Sequence, residues 1–249
     1  MAQWVRKANG SLNDSQEEHV RRHSLVVKHV IGNDATRVRF SLPAPMKFWS
    51  DPRFVFNIAV SILFFSGSMV IHYCAGVFAT LKMSSPVNDL ILDAIPTFNV
   101  NLIFVEGAIL FWGLTALLLF KRPQKIPFVL KCLSVFMLIR SFFIILTHLG
   151  PSPDIIFVPP HPVISKFTFE GDLFFSGHTG APFLMALIFW KYKILRLAFL
   201  VFSIIFGVSV LLGHIHYSID VFAAYFITFG IYQICLKLFK KDHTLFSML

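Results

Sequence analysis

Two histidines and a carboxylate stand in two short polar clusters, each at the end of a long apolar run. One cluster is Ser176-Gly177-His178-Thr179; the other is His216-Tyr217-Ser218-Ile219-Asp220. Polar groups at such places are expensive and mark function. His216 and Asp220 are spaced i, i+4 and share a face if a helix starts at His216. Asp220 then accepts a hydrogen bond from one ring nitrogen and leaves the other free as a nucleophile. His178, in the first turn of another helix, is placed to protonate a departing alcohol oxygen and to take a proton from an incoming one. These three groups are the minimum set for moving a phosphoryl group through a phosphohistidine. The Ser176 and Thr179 hydroxyls, with the main-chain N–H groups of the same turn, are the expected contacts for phosphate oxygens. Gly177 lets the backbone approach closely. Pro182 cannot donate to the His178 carbonyl, which predicts a kink in that first turn. A metal is not expected: His214 and His216, at i and i+2, diverge on a helix.

The elements that must position these groups are membrane spans. The chain has 249 residues, 56% of them hydrophobic and 14% charged, against about 25% charged in soluble domains. Cys74, Cys132 and Cys235 all fall in apolar runs, so no disulfide framework is implied. The expected fold is all-α and polytopic. Six transmembrane helices are predicted near Phe54 to Phe78, Leu102 to Phe120, Ile126 to Leu146, Leu173 to Trp190, Ile194 to Gly213 and Tyr217 to Phe239. The formal charge of +9 is spread beside these spans in the pattern of membrane topology, and no nucleic-acid partner is expected. Of the 22 basic residues, 19 fall on one side when the spans alternate, which predicts both termini cytoplasmic. Both clusters then share the extracytoplasmic leaflet. Asp220 lies 17 residues before Lys237, or about 25 Å along a helix, so it reaches headgroup depth. The predicted organisation is a cytoplasmic segment 1–50, amphipathic or disordered, a catalytic domain 51–241, and a cytoplasmic tail 242–249. The outer loop from His148 to Gly171 holds five prolines and reads equally as a lid over the site or a stiff connector.

The motifs resemble a known family. Ser176-Gly177-His178, then Ser209, His216 and Asp220, look like the last two motifs of the type-2 phosphatidic-acid-phosphatase superfamily. The likeness to its sphingomyelin synthase branch is closer. It rests on Gly171-Asp172-Leu173-Phe174-Phe175-Ser176-Gly177-His178-Thr179 and on His216-Tyr217-Ser218-Ile219-Asp220-Val221 with Ala224-Tyr225. Arg140, Thr147 and Leu149 loosely follow that branch's second motif, and Pro86 to Asp89 faintly echo its first. The resemblance implies six spans, no metal or cofactor, and His178, His216 and Asp220 as catalytic triad, with His216 the covalent nucleophile. Asp172 and Tyr217, inside the two motifs, join Ser176, Gly177 and Thr179 as implied substrate contacts. The chain departs from the phosphatase branch at Val210, where that branch carries an Arg, and lacks that branch's outer Lys and Arg-Pro motif. Glu170 stands where the synthase branch has a cysteine.

With that cationic clamp missing, Arg140 is the candidate for holding phosphate. It lies about two turns below the outer end of the third span, and Glu106 lies at similar depth in the second. Two readings stay open: a structural Glu106–Arg140 pair, or Arg140 on phosphate with Glu106 facing a cationic headgroup. The resemblance implies a phosphotransferase that moves a phospho-headgroup from a phospholipid donor in the bilayer to a ceramide or other lipid alcohol. A lipid phosphate phosphatase using water has the same triad, and a non-catalytic lipid-binding protein keeps the same fold. Homo-oligomerisation is left open.

Overall fold

A backbone inside a bilayer must satisfy its own hydrogen bonds, and among the described residues all regular structure is helical. The computed structural model describes residues 46–155 and 169–247. The expected N-terminal segment, amphipathic or disordered, as far as residue 45, and Pro159, Pro160 and Pro162 of the expected outer loop lie outside the described residues.

α1 (Met46–Trp49) is one turn. α2 (Pro52–Leu81) starts on Asp51, whose carboxylate accepts the Arg53 N–H at 2.9 Å, with Pro52 at the first helical position. A π-helical turn (Leu102–Glu106) runs into α3 (Gly107–Lys121), and a 3-10 turn (Pro123–Lys125) into α4 (Ile126–Leu146). α5 (Gly177–Ile188), α6 (Lys193–Leu212), α7 (Ser218–Leu238) and α8 (Lys240–Ser247) complete the order. Five helices are long and apolar enough to cross a membrane: α2, the π turn with α3, the 3-10 turn with α4, α6 and α7. They coincide with five of the expected spans.

The fourth expected span, Leu173 to Trp190, is the exception and contains a helix of only 12 residues, or about 18 Å. Residues 172–175 are drawn into irregular backbone by Arg140, and the chain turns at Phe189–Tyr192, where the Tyr192 N–H donates to the Phe189 carbonyl at 2.9 Å. α5 is enclosed by protein instead: apart from Phe183, every side chain from Thr179 to Ile188 is buried. It packs against α4, α6 and α7. The helix is continuous through Pro182, which sits inside it.

α4 is the central element, with half of its apolar stretch buried. Its Phe128, Cys132 and Phe136 pack with Leu184, Met185 and Phe189 in one core. The C-terminal ends of α2 and α4 and the N-terminal ends of α5 and α7 gather at one end of the bundle. There the Thr80 hydroxyl accepts the Gly171 N–H at 3.2 Å, and the Ser84 N–H donates to the His148 carbonyl at 2.8 Å.

The opposite end is closed by α8, where only a tail was expected. Lys131 Nζ donates to Asp242 at 2.7 Å and to Asn57 at 2.8 Å, and Asn57 donates to Asp242 at 2.6 Å. Lys125 Nζ donates to the Phe246 carbonyl at 2.9 Å and lies 4.0 Å from that ring's centroid. Breaking a buried ion pair by removing one partner costs about 3–5 kcal/mol. Asp242→Ala should therefore lower the melting temperature in detergent by several degrees, and a Lys131→Met/Asp242→Leu double variant should regain much of the loss. Equal losses in both would show that Phe246, not the ion pair, docks α8.

Candidate active site

The first motif caps a helix. Ser176 is the N-cap of α5: its hydroxyl accepts the Thr179 N–H at 3.4 Å and the Thr179 hydroxyl at 3.2 Å. Both side chains are fully buried. Expected as phosphate contacts, the two hydroxyls face each other in the structure and cap the first turn of α5. The Ser176 N–H donates to the carbonyl of Asp220 at 3.1 Å, so the two motifs are joined through the main chain. Gly177 makes room for Arg140: a Cβ there would stand 3.2 Å from the guanidinium Nε.

The second motif begins α7. Asp220 is completely buried, and its Oδ2 accepts the Tyr217 N–H at 3.0 Å and faces His216 Nδ1 at 3.4 Å. The i, i+4 pairing expected from the sequence is present, and it leaves Nε2 of His216 outside the contact with Asp220. His216 is only 5% exposed. His178 is half-buried, stacks on Phe104 at 4.1 Å between centroids, and meets the edge of Phe206 at 5.9 Å. Its ring donates to the main-chain carbonyl of Phe104, and it lies within electrostatic reach of His216. The Phe104 carbonyl belongs to the π turn, a geometry often found at functional sites.

Arg140 has an acidic partner other than the one its depth suggested. Its partner is Asp172, at 2.6 Å from NH1 to Oδ2, and not Glu106. Nε donates to the Phe175 carbonyl at 2.8 Å and NH2 to the Asp172 carbonyl at 3.3 Å. Glu106 is exposed on the π turn; helical spacing gave its depth but not its direction. Tyr217, implied as a substrate contact, is 2% exposed and serves as a strut. Its hydroxyl donates to the Gly150 carbonyl at 2.8 Å and accepts the Val87 N–H at 3.2 Å.

The sequence reading missed His72 of α2. It is 8% exposed, with Nε2 at 3.1 Å from Arg140 and 3.5 Å from Asp172, and Nδ1 at 3.3 Å from the Ser141 hydroxyl. The available signal was a lone histidine inside a bilayer-length apolar run.

His72, Arg140, Asp172, Gly177 and His178 line one cavity of about 250 Å3, whose remaining walls include Trp112 and Phe169. His216, Asp220, Ser176, Thr179 and Tyr217 do not line it. A larger cavity, about 490 Å3, is lined by none of His72, His178 and His216 and lies at the other end, between the end of α5 and α8.

Residues 171–237 match the family described as PAP2 superfamily C-terminal. That stretch contains both motifs and all three candidate catalytic residues. The match supports the type-2 phosphatidic acid phosphatase superfamily, and such a relationship fits a lipid phosphatase or phosphotransferase. No curated protein and no solved structure matches the chain.

Burial alone would raise the Asp172 pKa, but the adjoining Arg140 charge and the His72 ring outweigh it and hold the carboxyl well below the usual carboxylate range. The stability that comes from a depressed carboxyl is full above the unfolded pKa, about 3.9, and is lost only as pH falls from there through the folded value. The difference in melting temperature between the protein and Asp172→Asn should thus stay flat from about pH 8 to pH 5. A gap that already changes across that range would show that burial outweighs the Arg140 charge and that the Asp172 pKa is raised.

Proposed function

We propose that this chain is a membrane lipid phosphotransferase that works through a phosphohistidine on His216. The observation that carries the reading is the 3.1 Å hydrogen bond from the Ser176 N–H to the Asp220 carbonyl. It ties the turn bearing His178 to the turn in which Asp220 faces His216.

The chemistry follows from the pairings. Asp220 keeps the proton of His216 on Nδ1 and leaves the Nε2 lone pair to attack phosphorus. As the N–P bond forms, the bond from phosphorus to the diacylglycerol oxygen breaks, and its electron pair stays on that oxygen. His178 supplies the proton that makes it an alcohol. In the second half, the acceptor hydroxyl gives its proton to His178, its oxygen bonds to phosphorus, and the N–P bond breaks. Atoms and charges are restored after each cycle, and no metal or cofactor enters.

The acceptor we favour is a ceramide-type or other lipid alcohol. Val210 is completely buried and its carbonyl accepts the Ile215 N–H at 2.9 Å. The cation that a phosphomonoester dianion calls for is absent from that position, and a phosphodiester needs less positive charge. Water as acceptor, which makes the protein a lipid phosphatase, is the alternative. A non-catalytic lipid-binding role is the third reading. Counting α5 as a sixth passage, we place both termini in the cytoplasm and the histidines in the extracytoplasmic leaflet, from the distribution of basic residues.

Purified protein supplied with fluorescent ceramide and defined phospholipids should yield a ceramide phospholipid together with diacylglycerol. A donor labelled at phosphorus should leave an acid-labile adduct on the wild type and none on His216→Ala. His178→Ala should lose about 10²–10⁴-fold in rate, the usual worth of a positioned proton donor. Free phosphate from phosphatidic acid, with no ceramide product, would move the assignment to the phosphatase. No product from either, with the wild type equal to His216→Ala, would leave the lipid-binding role.

A further inference from the structure

We infer that a third cavity, beside the turn that leads into the nucleophile, binds a small primary ammonium group. It measures about 100 Å3 and lies between the 86–93 and 152–154 loops and the turn that carries His214 and Tyr217. Asp93 and Asp154, both exposed, stand at its mouth, and Asp89 forms part of its wall. Among the described residues no lysine or arginine lines it.

His214 is what marks this as a binding site. It is 4% exposed, it lines the cavity, and neither of its ring nitrogens has a hydrogen-bond partner among the described residues. Burying a polar ring without partners costs free energy, and its backbone is also held at φ +53°. Such a combination of strain and unmet hydrogen bonding gathers where a ligand completes the structure.

The lining selects the ligand. Asp89 is already committed: Oδ1 accepts the Ile91 and Leu92 N–H groups at 2.9 and 3.1 Å, and Oδ2 the Ser218 N–H at 2.7 Å. It contributes negative charge without a free oxygen. Burial would raise its pKa, but the Ser218, Leu92 and Ile91 donors pull it below the usual carboxylate range. The acceptors that remain include Asp93, Asp154 and a His214 nitrogen, with the Asn88 amide and the Ser152 hydroxyl also in the lining, enough for the three N–H donors of a primary ammonium. A quaternary ammonium instead needs ring faces, and the cavity has a single aromatic wall, Tyr217. No cluster of three metal-ligating side chains exists among the described residues.

Two sources share this chemistry: the amine of a lipid headgroup and a free soluble amine. The lipid source rests on the transferase reading, since His214 lies two residues before His216. Binding itself does not rest on it.

The test uses the full chain in nanodiscs of neutral lipid, with labelled histidine and methylammonium as probe. The His214 ring resonance, assigned by its loss in His214→Asn, should shift saturably. Asparagine tolerates a left-handed backbone, so that variant should fold. Asp154→Asn should weaken the binding about tenfold, as loss of one charge-assisted hydrogen bond. Tetramethylammonium and potassium should give no saturable shift. In a second arm, methylammonium that inhibits turnover of an amine-headed donor but not of a glycerol-headed donor identifies the headgroup as the natural occupant. Binding without inhibition of either identifies a free amine. If no donor is turned over, the transferase reading fails while the resonance still decides the cavity. No saturable shift in the wild type, or an equal response to tetramethylammonium or potassium, overturns the proposal.

Discussion

A buried guanidinium has no cheap place to go, and this fold is arranged around one. Arg140 holds the Asp172 carboxylate, the Asp172 carbonyl and the Phe175 carbonyl, and it meets His72 of α2. A charge taken out of water is tolerable only with good geometry and satisfied neighbours. Arg140 therefore dictates the path of the chain from 172 to 175. Ser176 follows immediately, caps α5, and reaches across to Asp220. Asp220 in turn faces His216. The order of dependence runs from one cation to the pose of a histidine on another helix. Small residues are required where that path is tight, as at Gly177 over the guanidinium and Gly171 against the backbone of α2, where a Cβ would come within 2.6 Å of Ala79.

That order also explains what could be read in advance. Five long apolar runs became helices where expected, because length and hydropathy are enough to specify a buried backbone that bonds to itself. The His216–Asp220 pairing was legible because it is local, four residues on one helical face. The irregular start of α5 was not, because it is imposed by a side chain more than thirty positions away, as the separation of 32 between Arg140 and Asp172 records. Depth along a helix was readable for both Glu106 and Arg140, but rotation about the axis was not, and so the acid that pairs with Arg140 turned out to be Asp172. His72 escaped notice for a related reason: a single polar residue barely disturbs the pattern of a 30-residue apolar helix. α8 was hidden by its polar composition, since it is held by Asp242 and Phe246 and not by an apolar face of its own.

Tyr217 and Ser218 close the molecule at its far end in sequence. The Tyr217 hydroxyl bonds to Gly150 and Val87, and the Ser218 N–H bonds to Asp89, at sequence separations of 67, 130 and 129. Part of the loop after the first long helix thus finds its partners only when the last long helix has arrived. Loop closure over such distances is slow and is rewarded late. During synthesis, when domains form from the N-terminus onward, that loop emerges early and settles last. Assembly of this end of the bundle is in this sense a completion signal: it can form only on a chain whose last long helix is already in place beside the others.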